Sequence, residues 1–378
     1  MKRFMSRVLL VMIAVFAITG LVSAQPTAVT FCDDLSEADC TLITDSQATM
    51  MALESSSFTF DLNVDIDGIE DMPNGLAFTL SGSGATTLDQ SVVAKFSDID
   101  PQSFSTNPMA IFDLLKEALP AVGADMQFSL TLPEELLREM RDEVELPETI
   151  KLSLKMVDGV IYVNAEELGA YIPQMKGAAG WLGVDLIEAI DMVLAQPGFS
   201  DSLKEMENMQ LGGMNAEMMQ AFSDPETLAG IVDIQRLSDD EVDGKTVAVF
   251  ETTVDYAALM TMPAMADLMK QQMEASGSEV SDAEIEAMMT MMQTMGKNIT
   301  LKAQQFIDPE TRHLLQSKLD MTFDMSEMMA AAGASSSDSQ PVVTIGATFT
   351  QGDFNAVEAI TKPDGAFLIP LNGMSQSM

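Results

Sequence analysis

The stretch FTFDLNVDIDGIEDMPNGLAF, residues 58–78, admits two readings, and the choice between them decides the fold. Asn63, Asp65 and Asp67 followed by Gly68 look like the opening of a calcium loop. A helix-flanked calcium loop needs oxygen ligands at its first, third and fifth positions, glycine at the sixth and a bidentate acid at the twelfth. Counting from Asn63, the twelfth residue is Asn74, an amide. Phe58, Phe60, Leu62, Val64 and Ile66 alternate with Thr59, Asp61, Asn63 and Asp65, the period of a half-buried strand. The stretch therefore reads as the first strand and turn of a hairpin whose acids face outward, with MPNG continuing the reversal. Loose surface binding of a cation by Asp65, Asp67, Glu70 and Asp71 is the minor alternative, and no metal site is assigned.

Outward from this hairpin the same period recurs. A second strand is expected over 76–88, a third over SVVAKFSDI (91–99), and others over DMQFSLTL, TIKLSLKMVDGVIYVN, GKTVAVFETTV, NITLKAQQFI, LLQSKLDMTFDM and VVTIGATFTQG. Asp158-Gly159 and Asp243-Gly244 are turn signals between strands. Helical periodicity marks 107–119, 133–143, 184–195, 201–222, 256–275 and 282–296, with capping pairs at Ser223/Glu226 and Ser281/Glu284. The class is α+β, an antiparallel meander with one apolar face and helices interposed. SGSE at 276–279 and AAAGASSSDSQP at 330–341 read as connections inside one domain covering residues 50–372.

Residues 1–24 read as a secretory signal: Lys2, Arg3 and Arg7, the apolar run VLLVMIAVFAITGLV, then Val22, Ser23 and Ala24. Gln25 stands where lipidation would need a cysteine, so a soluble exported product, periplasmic or extracellular, is expected. Cys32 and Cys40 are then placed where a disulfide persists, pinning a segment over 25–49. Without the signal's three basic residues, 16 Lys and Arg face 58 Asp and Glu, a charge of −42. Such a surface repels nucleic acid and anionic membranes, so neither is expected as a direct partner.

Methionine is the compositional outlier, with 33 copies. Met262, Met265, Met269 and Met273 share one face of an expected helix, and Ile285, Met288, Met289, Met292 and Met295 share one face of the next. Such stripes serve as ordinary core faces or as an adaptable wall for apolar ligands of variable shape. Thioether ligands also suit Cu(I), a lesser alternative. Catalytic patterns are scarce: His313 is the chain's only histidine, no phosphate loop or zinc-spaced pair is present, and adjacent acids are expected among 58. A non-enzyme without cofactor is the reading. Asn298-Ile299-Thr300 fits a glycosylation sequon but opens an expected strand, and no role is given to it.

At MVDGVIYVNAEELGAYI and WLGVDL, then EVDGKTVAVFETTVDYAAL, QQFIDPETRHLLQSKLDM and ATFTQGDFNAVEAITKPDGA, the chain resembles the LolA/LppX-like envelope lipoprotein-carrier superfamily, particularly its LppX/LprG branch. The resemblance implies a strongly curved antiparallel β-sheet, a half-barrel, with helices covering a concave apolar face that holds acyl chains. It turns Phe58, Phe60, Leu62, Leu152 and Leu154 inward. With Met265, Met269, Met288 and Met292 these are the candidate ligand-binding residues. The partner implied is a lipid or other apolar small molecule, and an envelope protein partner is left unidentified. The rival reading is a ligand-free cell-surface or matrix interaction module with a packed core.

Overall fold

The computed structural model describes residues 32, 34–68, 75–97, 108–140, 147–171, 177, 179–195, 199, 225–262, 265, 282–326 and 341–371. The expected signal, the helix over 201–222, the capping residues Ser223 and Ser281, and most of both connections lie outside these residues.

Strand β1 (Ser55–Asp67) lies in the interior of the sheet, antiparallel to β2 (Leu76–Leu88) on one side and to β12 (Val342–Gly352) on the other. Beyond β2 the order continues through β3 (Val122–Thr131), β4 (Thr149–Val157), β5 (Val160–Asn164) and β6 (Trp181–Asp185). It ends on the two-residue β13 (Phe367–Leu368), which runs parallel to β6. Beyond β12 it continues through β11 (Leu314–Asp324), β10 (Ile299–Ile307) and β9 (Lys245–Val254) to β7 (Val232–Arg236), while β8 (Asp240–Val242) forms a hairpin with β9. The result is an open sheet of 13 strands with helices, an α+β half-barrel whose edges are β13 and β7.

Pairing converts the alternation in β1 into two chemically distinct faces. Phe60 lies opposite Gly82 and Phe349, Leu62 opposite Leu80 and Ala347, Val64 opposite Phe78 and Ile345, and Ile66 opposite Leu76 and Val343. On the other face Asp61 lies opposite Ser81 and Thr348, and Asp65 opposite Ala77 and Thr344. Residues directly opposite share a face, so the apolar rows run across strand boundaries. Two turns are built as expected: Asp158-Gly159 (φ 53° and 77°) and Asp243-Gly244 (φ 50° and 77°) place both central residues at positive φ, the type I′ geometry that matches strand twist.

Helix α1 (Glu37–Met51) starts at Ser36, whose hydroxyl accepts the Asp39 N–H at 3.2 Å. Its Leu42 and Ile43 are buried against Ala248, Phe250 and Ile307 at the β9–β10 end. The Cys32–Cys40 disulfide (Cα–Cα 5.5 Å) holds the preceding residues to the first turn of α1. Arg236 fastens the same helix to the sheet, with Nε 3.4 Å from Asp39 Oδ1 and its guanidinium over the Phe250 ring. The helix thus crosses the expected boundary at residue 50 and packs with the sheet.

Three expectations are corrected. The strand expected over 91–99 is helix α2 (Gln90–Ser97). Asp89 accepts the Ser91 N–H through its carboxylate at 2.9 Å, and Val92 is buried in the first turn, a helical placement that the short alternation obscured. The helix expected over 184–195 starts later, as α6 (Leu186–Leu194), because Trp181–Asp185 pairs with β5 and Asp185 caps the N–H groups of Ile187 and Glu188. The helix expected over 256–275 is interrupted: α8 (Tyr256–Met260) stops at Thr261, ahead of Pro263, Met265 is helical again, and 266–275 lie outside the described residues. The other helices of the described residues are α3 (Pro108–Ala118), α4 (Glu134–Met140), α5 (Ala165–Tyr171), α7 (Pro225–Leu228) and α9 (Asp282–Lys297).

After β12 the chain crosses the polar side. Asn355 accepts the Glu54 N–H at 2.7 Å, Ile360 approaches Gly123, and the Lys362 ammonium stands 5.9 Å from the Tyr162 ring before β13 joins β6.

Gly82 is required by the apolar face: a Cβ there would lie 2.4 Å from Phe60 Cε1. Gly82→Ala is expected to lower stability in urea by about 1–3 kcal/mol through overpacking. Gly346→Ala, where a Cβ meets only Asp320 Oδ1 at 3.8 Å, is expected to stay within about 0.5 kcal/mol.

Candidate ligand-binding face

The apolar face is closed at one end and half-covered at the other. At the closed end Phe58, Ala124, Met126 and Met156 are buried together, with Phe60, Phe128, Ile161, Phe349 and, from the covering side, Leu119 and Leu186 packed on them. Phe58 stacks on Phe349 with ring centroids 5.6 Å apart, and Phe60 meets Phe128 at 5.8 Å, tilted by 54°. Leu119 opens the 3-10 turn after α3, and Leu186 opens α6, so the α3–α6 pair closes this part of the face.

Toward the β1–β2 hairpin the covering thins. Leu62, Val64, Ile66, Leu76, Phe78 and Leu80 are half-buried, as are Leu130, Val343 and Ile345 on the flanking strands. Burial of apolar area is worth about 25 cal/mol per Å², so a half-covered run of this kind is an attractive surface for an apolar molecule.

The five sheet residues expected to face inward do share this face. Leu154, 2% exposed, lies opposite Met126 and Val163, and half-buried Leu152 lies opposite Phe128. The methionines stand elsewhere. Met288 and Met292 are half-buried on α9 together with Ile285, Met289 and Met295, while Met291 turns outward at 55% exposed. Helix α9 crosses α8 so closely that a Cβ on Gly296 would lie 2.8 Å from Ala257 Cα, and it leads directly into β10. Five strands separate β10 from β4. Met265 is half-buried, and Met269 lies outside the described residues. The candidate residues thus form two groups, one on β1–β4 and one at the β10 end.

Two open indentations border the sheet. One of about 440 Å³ lies beside Glu54, Thr87, Leu88, Asp89, Gln90 and Ala121. The other, about 390 Å³, lies between β9–β10 and the α8–α9 pair, with Val254, Tyr256, Gly296, Ile299 and Leu301 on its walls. Neither is walled by the candidate phenylalanines, leucines or methionines.

Three features escape a reading by motif. Gln351 continues the apolar parity of Val343, Ile345, Ala347 and Phe349, and its Oε1 is buried without a hydrogen-bond partner. Leaving such a group unpaired costs about 1–3 kcal/mol. The break in alternation at the end of VVTIGATFTQG is its sequence signal. Gly82 and Gly84 in SGSG make room for Phe60 and Met126. Glu167 on α5 accepts from the Ser153 N–H and hydroxyl, closing β4 where β5 no longer reaches it.

The titratable groups here are built for structure. His313 stacks on Phe354 with centroids 4.1 Å apart, and burial holds its imidazole below the ordinary value against the opposing pull of Asp308. Burial pushes the Asp308 carboxyl up, but the Thr311 and Glu310 N–H groups and Lys245 bring it below the usual carboxylate range. These bonds shape the DPET turn. Among the described residues no group of three or more His, Cys, Asp or Glu is placed to hold a metal ion. No described helix is long and apolar enough to cross a membrane.

No protein-family model matches the chain, and no curated protein matches it. Among solved structures, the Mycobacterium tuberculosis lipoprotein LppX is similar at 11% identity over 85% of this chain and 100% of that one, with a TM-score of 0.29. LprF from Mycobacterium bovis is similar at 10% identity over 87% and 98%, with a TM-score of 0.31. A LolA superfamily protein from Nitrosomonas europaea is similar at 7% identity over 85% and 97%, with a TM-score of 0.15. The architecture itself rests on the strand order and register described above.

A histidine whose folded pKa is depressed binds fewer protons than in the unfolded chain, so its contribution is present above about pH 6.5 and is lost as pH falls below that value. Urea midpoints measured between about pH 7.5 and about pH 5.5 are expected to decline for the wild type and to decline less for His313→Gln. The depressed Asp308 acts only below its ordinary value of 3.8, outside this window.

Proposed function

We propose that the chain is an exported, non-enzymatic binding protein that holds a lipid or other apolar molecule against the apolar face of its half-barrel, as the resemblance implies. The observation that carries this reading is the half-covered run from Leu62 to Ile66 on β1 and from Leu76 to Leu80 on β2, continuous with the buried Phe58–Met126–Leu154 end. Affinity comes from buried apolar area, reduced by the cost of ordering the ligand. Such a wall selects for length and flexibility more than for particular chemical groups.

The alternative is a ligand-free interaction module with a packed interior. It is favoured by the two indentations, which are open and lie away from the candidate residues. Both readings place the protein outside the cytoplasm and give it no catalytic residue.

Native mass spectrometry with organic extraction, on protein purified from its own host, is expected to recover an apolar small molecule. A fluorescent fatty acid is expected to bind the wild type and to bind Leu62→Asp about 10-fold more weakly, because the new carboxylate must lose water. Thr59→Asp, on the polar face, is expected to bind within about twofold of wild type. Ligand-free protein together with no uptake removes the binding reading and leaves the packed module.

A further inference from the structure

Gln351 is out of place on the face it occupies. It lies directly opposite Phe58, and Phe349, two residues before it on the same strand, stacks on Phe58. Residues two apart on a strand share a face, so the Gln351 amide is turned toward the apolar side. The neighbouring Gln316 is satisfied differently, donating to the Thr350 hydroxyl at 3.1 Å on the polar side. Gln351 Oε1 accepts from no group among the described residues, although it is buried. Native interiors rarely leave such an acceptor unpaired, and each exception calls for an explanation, a functional contact among them.

We propose that Gln351 is the polar contact of the apolar face, and that the ligand is an amphiphile carrying one O–H or N–H donor at the end of an otherwise apolar chain. This rests on the reading of that face as a lipid site and goes further by assigning a ligand class and an orientation. The donor group sits at the closed end beside Phe58 and Phe349, where the Gln351 carbonyl accepts from it. The apolar chain runs along the half-buried rows toward Leu62, Val64 and Ile66. The eight residue-to-residue steps of extended strand from Phe58 to Ile66 give this run a length of about 27 Å. A chain without a donor fills the same rows but leaves the carbonyl unpaired, and a site built to hydrogen-bond a hydroxyl discriminates against an analogue that lacks it.

The test compares oleyl alcohol with oleyl methyl ether, which share one chain and differ in the donor. Displacement of a fluorescent fatty acid from the full-length mature protein is expected to show the alcohol binding about 10-fold more tightly than the ether. Gln351→Leu is expected to remove that preference by weakening the alcohol, with the ether retained within about threefold. Gln351→Met, which keeps the side-chain length, is the second variant if the leucine protein fails to fold. Equal binding of both probes by the wild type overturns the proposal, as does a preference that survives either folded variant. Failure of both probes and of the fluorescent fatty acid to bind the wild type overturns the lipid-site reading itself, a result distinct from equal binding.

Discussion

The constraint on which the rest depends is the register of β1 between β2 and β12. A strand has a side-chain period of two, so a slip of one residue would turn every side chain to the opposite face. In the observed register Phe60, Leu62, Val64 and Ile66 meet apolar residues or glycine on both sides, while Asp61, Asn63 and Asp65 meet Ser, Thr, Ala or Gly. One slipped pairing would set carboxylates against the Phe58–Met126–Met156 core, where a charge without a partner is costly. The same alternation is then passed outward, strand by strand, to Leu182 on β6 and Ile234 on β7.

Given that register, the uneven cover of the apolar face follows from where the helices are anchored. Asp185 caps α6 immediately after β6, which seats Leu186 against the cluster of Phe58, Ala124, Met126 and Met156. At the other side Ser36, the disulfide and Arg236 hold α1 over Phe250 and Ile307. Both anchors work near the ends of β1 and β9 that carry Phe58 and Ala248, so closure is strongest there. The only buried side-chain polar atom without a partner, Gln351 Oε1, falls beside that closed end, among the described residues.

Much of the fold was legible because β pairing here follows local alternation. The strand over 76–88 and the turns at Asp158-Gly159 and Asp243-Gly244 were readable to the residue. What escaped depends on contacts distant in sequence. The two residues of β13 form a strand only because β6 lies alongside, and β6 itself has five residues interrupted by Gly183. Val92, Val93 and Phe96 fit a strand or a helix over so short a span, and the Asp89 cap decided for the helix. For the candidate site, the row of Phe58, Phe60 and Leu62 could be read from alternation and its sharing a face with Leu152 and Leu154 from the resemblance, but its distance from the methionines of α9 is set by a strand order no local pattern reveals.

The acidic corner of residues 58–78 shows how a chain of net charge −39 keeps its sheet intact. Like charges directly opposite each other destabilise a sheet. On β1, Asp61 is flanked by Ser81 and Thr348, Asp65 by Ala77 and Thr344, and Asp67 by Val342, so no acid of this strand faces another across a pair. Where acids recur farther out, scarce lysines stand against them: Lys155 is 2.7 Å from Asp125, and Lys302 lies opposite Asp320. Alternate residues of a strand are about 6.8 Å apart, whereas calcium holds its oxygens at about 2.4 Å, so successive acids on a straight β1 do not converge on one ion. The spacing that disqualifies these residues as a metal loop is also what lets water screen each charge separately. The acids of β1 therefore stay exposed and apart on the side opposite the apolar rows.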